Sequence, residues 1–118
     1  MKILIADDTD SVRFALRMAL EYLGHEVVGF AIDGNEAIAK NESMRPDVIM
    51  MDVRMPRMDG LTCTALLSKK DPPAKIVIVT GSRTTETEAR DAGARGFLEK
   101  PYDVTDLDRA IHGCFAAA

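Results

Sequence analysis

The 118-residue chain has no excess of positive charge, no long apolar run, no cysteine framework and no internal repeat. Each absence removes a class of function. Fifteen Lys and Arg stand against nineteen Asp and Glu, a formal net charge of −4. The basic surface that a general attraction to nucleic-acid phosphates requires is therefore missing. The longest apolar runs, Val48–Met51 and Ile76–Val79, are far too short to span a bilayer. The stretch Ile3–Ala6 runs straight into Asp7 and Asp8, which is not the pattern of a secretion signal. Cys63 and Cys114 stand alone, without the spacing of a disulfide scaffold or a zinc site. No linker or low-complexity tract interrupts the chain.

What is present is an ordinary globular mixture, 47% hydrophobic and 29% charged, in a length that suits one domain over residues 1–118. The expectation is an acidic, soluble, cytoplasmic domain with no membrane and no direct nucleic-acid partner. Short apolar runs alternate with amphipathic ones. Strands are expected at Lys2–Ala6, Glu26–Phe30, Val48–Met51, Ile76–Val79 and Gly96–Leu98. Three of them are nearly continuous Ile/Val/Leu/Met, as strands buried on both faces of a parallel sheet are. Helices are expected at Ser11–Leu23, Asn35–Glu42, Leu61–Lys69, Thr85–Ala92 and Val104–Cys114. Gly24 and Gly93 read as C-terminal stops, and Asp59 and Asp103 as N-caps.

At about 100° per residue, Val12, Leu16, Ala19, Leu20 and Leu23 share one face of the first helix, with Phe14 and Met18 opposite. The last helix carries Val104, Leu107, Ile111 and Cys114 on one inward stripe. The fourth has only Ala89 and Ala92 as apolar anchors and should be the most weakly held. Phe14 and Met18 are either scattered exposed apolar residues or a docking patch for a partner's helical bundle. His25 and His112 read as solvent-facing or structural, and the methionines as core filler.

Five strands alternating with five helices predict a doubly wound α/β sheet, whose ligands bind beyond the carboxyl ends of the strands. Polar residues collect at those ends. Asp7 and Asp8 follow the first strand, Asp52 the third, Thr80 the fourth and Lys100 the fifth. Two carboxylates about 4 Å apart repel by roughly 4 kcal/mol at an effective dielectric near 20, so three on one edge call for a cation. An all-oxygen site with room for water and phosphate suits magnesium. A carboxylate is also a nucleophile towards phosphorus. Asp52, Thr80 and Lys100 then read as nucleophile, phosphate hydrogen-bond donor and cationic clamp. Gly81 lacks a Cβ, which lets the backbone approach the phosphate.

The segments Ile5-Ala6-Asp7-Asp8, Met51-Asp52-Val53-Arg54-Met55-Pro56, Met58-Asp59-Gly60, Val79-Thr80-Gly81 and Glu99-Lys100-Pro101 together resemble a response-regulator receiver domain. The resemblance covers essentially the whole chain and implies a flavodoxin-like sheet in the order 2-1-3-4-5. It implies that Asp52 is phosphorylated by a histidine kinase or phosphotransfer protein, and that a downstream effector reads the result. It further implies magnesium held by Asp7, Asp8, Asp52 and the backbone carbonyl of Arg54. Thr80 corresponds to the switch hydroxyl, Lys100 to the phosphate-contacting lysine, and Lys100–Pro101 to a bond that is commonly cis. Phe97 corresponds to the aromatic switch position, where it lacks a tyrosine hydroxyl and signals sterically, or else it is a plain core aromatic. Arg54 and Ser82 correspond to positions that tune hydrolysis of the phosphoryl group. The interval from Thr80 to Lys100 is somewhat shorter than the family's, which bears on its usual output face of fourth helix and fifth strand.

The resulting expectation is a signalling switch, monomeric or weakly dimeric, rather than an enzyme beyond self-catalysed transfer and slow autodephosphorylation. One competing reading is a magnesium-dependent phosphatase with an aspartyl nucleophile, because Asp8-Thr9-Asp10 resembles the acid-x-acid motif of haloacid-dehalogenase-like hydrolases. Others are the receiver portion of a longer transcription regulator, or an interaction module that is never phosphorylated. The Ala116-Ala117-Ala118 ending favours a stand-alone protein, and the intact Asp7, Asp8, Asp52 and Lys100 favour phosphorylation.

Overall fold

A computed structural model describes residues 1–116; Ala117 and Ala118 of the alanine run lie outside the described residues. The elements alternate strictly: β1 Lys2–Ala6, α1 Asp10–Tyr22, β2 Glu26–Ala31, α2 Gly34–Met44, β3 Val48–Asp52, α3 Gly60–Lys70, β4 Ile76–Thr80, α4 Glu86–Asp91, β5 Gly96–Glu99 and α5 Val104–Gly113. All five strands are parallel, in the order β2-β1-β3-β4-β5. β2 to β5 each run one residue beyond the expected end, so Asp52 and Thr80 are the last residues of β3 and β4 rather than the first after them.

The buried strands explain the apolar runs. Residues pointing to one face, such as Leu4, Ile49, Met51, Ile76 and Ile78, pack on Ala37, Cys63, Leu67 and Ala89 of α2, α3 and α4. The alternate residues Ile3, Ile5, Met50, Val77 and Val79 pack on Leu16, Leu20, Leu107 and Ile111 of α1 and α5. Continuous Ile/Val/Met sequence is what a sheet with two covered faces demands. Cys63 and Cys114 are free and buried in these two separate layers. Burial drives their thiols up, to about 12 and about 11, so both are inert at neutral pH.

The punctuation works as the residue types dictate. Asp59 and Asp103 accept hydrogen bonds from the backbone N–H of Thr62 and Asp106, each at 2.8 Å, capping α3 and α5. Gly24 and Gly93 sit at φ +90° and +111° after α1 and α4, where a side chain is disfavoured. α4 is the shortest helix at six residues and buries Ala89 alone. It relies on a capping box between Thr85 and Glu88 and an Arg90–Glu86 pair at 2.8 Å. One of the expected core residues lies at the surface. Val104 is 37% exposed, because the first turn of α5 stands clear of the sheet beside the exposed Asp103, Thr105 and Asp106; the inward stripe begins at Leu107.

Candidate functional site

Parallel pairing sets the site. The β1–β3 register aligns Ala6 with Met51, so Asp7 emerges beside Asp52. The β4–β5 register aligns Thr80 with Glu99, and the Lys100 N–H donates to the Thr80 carbonyl at 2.8 Å. The Lys100–Pro101 bond is cis. The carboxylates of Asp7, Asp8 and Asp52 each offer an oxygen within 4.8 Å of the others. Lys100 Nζ stands between two of them, 3.9 Å from Asp7 Oδ2 and 3.7 Å from Asp52 Oδ1. Asp8, Asp52, Arg54, Thr80, Gly81, Ser82 and Lys100 line one cavity of about 410 Å³.

The acids are not equivalent. Asp7 is buried, Asp52 partly so, and Asp8 is open to solvent. Burial, reinforced by the Asp7 charge and opposed by Lys100, pushes Asp52 up to about 6. Burial likewise raises Asp7, against the Thr9 N–H and Lys100. One lysine does not neutralise the group, so a small divalent cation with oxygen ligands fits it. A measurable cost follows while no cation is bound. Between about pH 4 and 6 the native protein holds a proton on Asp52 that the unfolded chain has released, so this group's contribution falls as pH rises through that window. Asp52→Asn escapes it. Without added metal, its urea-denaturation stability relative to the unaltered chain is expected to improve between pH 4 and pH 7, by at most about 3 kcal/mol.

Several supports have no local sequence signal. Arg13 Nη1 donates to the Asp7 carbonyl at 2.7 Å, Nη2 pairs with Asp10, and the guanidinium lies 5.9 Å from the centre of the Phe30 ring. The β1–α1 loop is thereby tied down. Gly60 donates to the Val53 carbonyl at 2.8 Å, and a Cβ there would lie 1.9 Å from the Asp52 carbonyl oxygen. Only glycine lets α3 start that close to the backbone of Asp52. Thr80 is 1% exposed. Its Oγ1 lies 2.6 Å from Ser82 Oγ and accepts from the Ser82 N–H at 2.9 Å, and Ser82 Oγ lies 3.0 Å from Thr84 Oγ1. Gly81 lines the cavity, but an added Cβ would make only ordinary contact, 3.6 Å, with the Lys100 side chain. The protein itself does not require its small size.

The remaining candidates lie away from the acids. Phe97 is half-buried against the α2–α3–α4 layer, at the edge of a cavity shared by Arg90, Arg95, Pro101 and Arg109. Phe14 and Met18 are 65% and 55% exposed on the outer face of α1, followed one turn on by exposed Tyr22. His112 lies on the surface near Asp108, and His25 is half-buried with Nδ1 3.2 Å from the N-terminal amine. Asp10 does not join the site. Its side chain is 95% exposed and paired with Arg13, so the second acid of an acid-x-acid pair is missing.

The family model of the response regulator receiver domain matches residues 3–112. The chain belongs to that family. It is similar to the transcriptional regulatory protein PdtaR of Mycobacterium tuberculosis, 40% identical over 111 residues. That match takes in 93% of this chain and 54% of PdtaR, so the chain spans about half the length of that curated relative. The chemotaxis protein CheY of Thermotoga maritima is 34% identical over 113 residues, 94% of each chain. Among solved structures, a chain of the CheX–CheY–BeF3–Mg2+ complex from Borrelia burgdorferi superposes with a TM-score of 0.92 at 25% identity, covering 99% of this chain and 90% of that one. Membership makes the receiver domain a phosphorylation-dependent element of two-component signalling, not a classical enzyme. The phosphatase reading is set aside on that ground and on the position of Asp10. Among the described residues, no helix is long and apolar enough to cross a membrane.

Proposed function

We propose that residues 1–118 act as one cytoplasmic receiver unit in which Asp52 accepts a phosphoryl group from a histidine kinase or phosphotransfer protein. The observation that carries the reading is Lys100 Nζ, within 4 Å of both Asp7 and Asp52 at the mouth of a polar cavity. An Asp52 carboxylate oxygen attacks phosphorus, the P–N bond of the donor breaks, and its electron pair returns to the imidazole. Lys100 balances charge on the transferring group, and Thr80 and the Gly81 N–H donate hydrogen bonds to it. Asp7, Asp8, Asp52 and the Arg54 carbonyl would hold Mg2+, which supplies the remaining positive charge.

Thr80 must exchange Ser82 for a phosphoryl oxygen, which disturbs the β4–α4 connection. Phe97 responds by volume alone, and the effector reads the face around α4 and β5. Turnover is limited to self-catalysed transfer and slow autodephosphorylation, at a rate tuned by Arg54 and Ser82, and the unit works as a monomer or weak dimer. The test is incubation with magnesium and acetyl phosphate, followed by mass spectrometry. One phosphoryl group on Asp52 supports the reading. Label elsewhere, or steady turnover of phosphomonoesters, overturns it.

The exposed Phe14–Met18 pair is the proposed docking patch for the donor's helices. Phe14→Ser is expected to slow transfer from the phosphohistidine partner by about tenfold, the order of one well-packed aromatic anchor, while labelling by acetyl phosphate stays unchanged. Equal slowing of both would remove the patch from the reading.

A further inference from the structure

The connection from β3 to α3, residues 53–59, carries Arg54 and so the carbonyl assigned above to the metal. The start of α2 holds this connection from outside the site. The Gly34 N–H donates to the Met58 carbonyl at 3.0 Å. Gly34 is closely covered there, since a Cβ would lie 2.6 Å from Met58 Cγ. One residue earlier, Asp33 Oδ2 accepts from Arg57 Nε at 2.5 Å. Its other oxygen accepts the Glu36 N–H at 2.8 Å and caps α2. A single buried carboxylate therefore joins a helix end to the metal-side loop.

Three further features bear on the joint. Arg57 adopts φ +65°, a left-handed conformation that residues with a Cβ seldom take. The Glu36 N–H and the Arg57 guanidinium lower the Asp33 carboxyl from its ordinary value, so it stays ionised at neutral pH. Cys63, in the first turn of α3, closes the circuit by donating Sγ–H to the Gly34 carbonyl at 3.4 Å.

We propose that Asp33 is a positioning residue for magnesium: through Arg57 it fixes the 53–59 loop, and with it the place of the Arg54 carbonyl. Asp33 touches neither phosphoryl group nor ion. The inference rests on the reading of Arg54 as a metal ligand.

Two variants remove the pair in different ways. Asp33→Asn keeps a capping acceptor for α2 and loses the charge. Arg57→Gly keeps Asp33 and suits the left-handed backbone. Mg2+ titration of each by NMR is expected to show affinity about tenfold weaker than in the unaltered protein, the loss usual for groups that orient ligands. In the metal-free proteins the amides of Gly34 and Gly60 are expected to exchange about tenfold faster while that of Ile5 in β1 is unchanged, the mark of local opening rather than general destabilisation. Mg2+ affinity in both variants within about twofold of the unaltered protein overturns the proposal, since ligand orientation then does not depend on the pair. Unchanged exchange at Gly34 and Gly60 also overturns it. If the unaltered protein itself binds no Mg2+, the metal-site reading falls, and the exchange rates then judge the Asp33–Arg57 anchor separately.

Discussion

Asp52→Asn is expected to abolish labelling by acetyl phosphate in the presence of magnesium, with a loss on the order of 10³-fold or more in rate, as removal of a nucleophile produces elsewhere. The amide is nearly the same shape but offers no anionic oxygen to phosphorus. Misfolding does not account for this loss. In the native chain Asp52 is charged beside Asp7 and partly removed from water, so neutralising it relieves a cost instead of adding one. Lys100 keeps Asp7 as a partner. The decisive pair of measurements is therefore intact-protein mass, which should show no added phosphoryl group in the variant, and urea denaturation, which should show a fold at least as stable at pH 7. Label retained by the variant, on Asp7 or Asp8, would mean that the wrong acid has been assigned.

Gly60→Ala is expected to be the most damaging small substitution in the chain. The new methyl would lie 1.9 Å from the Asp52 carbonyl oxygen, 2.8 Å from its carbonyl carbon and 3.0 Å from Met51 Cγ. Two of these atoms are backbone of a central strand, paired on one side with β1 and on the other with β4. Relief requires moving either the end of β3 or the start of α3. Both remove packing from Cys63 and Leu67, which are almost fully buried. Overpacking against an immovable neighbour costs about 3 kcal/mol or more, a large share of the roughly 5–15 kcal/mol that holds a small domain together. Chemical denaturation should show the loss directly. The surviving folded fraction should also phosphorylate more slowly, because the shift is transmitted to the peptide of Asp52, the proposed phosphoacceptor. Gly81→Ala, facing only ordinary contact, should cost far less and serves as the comparison.

Much of this architecture was legible in the residues. Val48–Met51 and Ile76–Val79 could be placed as central strands because a sheet covered on both faces leaves no polar alternation. Once the strands were placed, Asp7, Asp52, Thr80 and Lys100 had to share an edge, since parallel strands end together. Weak anchoring of α4 followed from its having only Ala89 and Ala92 to bury, and only Ala89 is fully buried.

The features that escaped are contacts between distant residues. Nothing near Arg57 announces Asp33, twenty-four positions away. Arg13 looks like any solvated helical charge until the β1–α1 loop brings the Asp7 carbonyl to it. Gly60 stood out as part of a motif, yet its purpose depends on a 1.9 Å clearance that only the folded chain defines. Val104 failed for the opposite reason. Its periodicity was right, but periodicity places a residue on a helix face without saying whether the sheet reaches that far.

The brevity of α4 has a thermodynamic corollary. A helix of six residues with one buried alanine has little free energy separating its wound and frayed forms. The proposed signal, passing from Thr80 through Thr84 and Thr85, would therefore meet an element of low stiffness next to strands of high stiffness. If Asp52 is phosphorylated as proposed, modest work there is enough to redistribute that helix among its microstates while the strands keep their register.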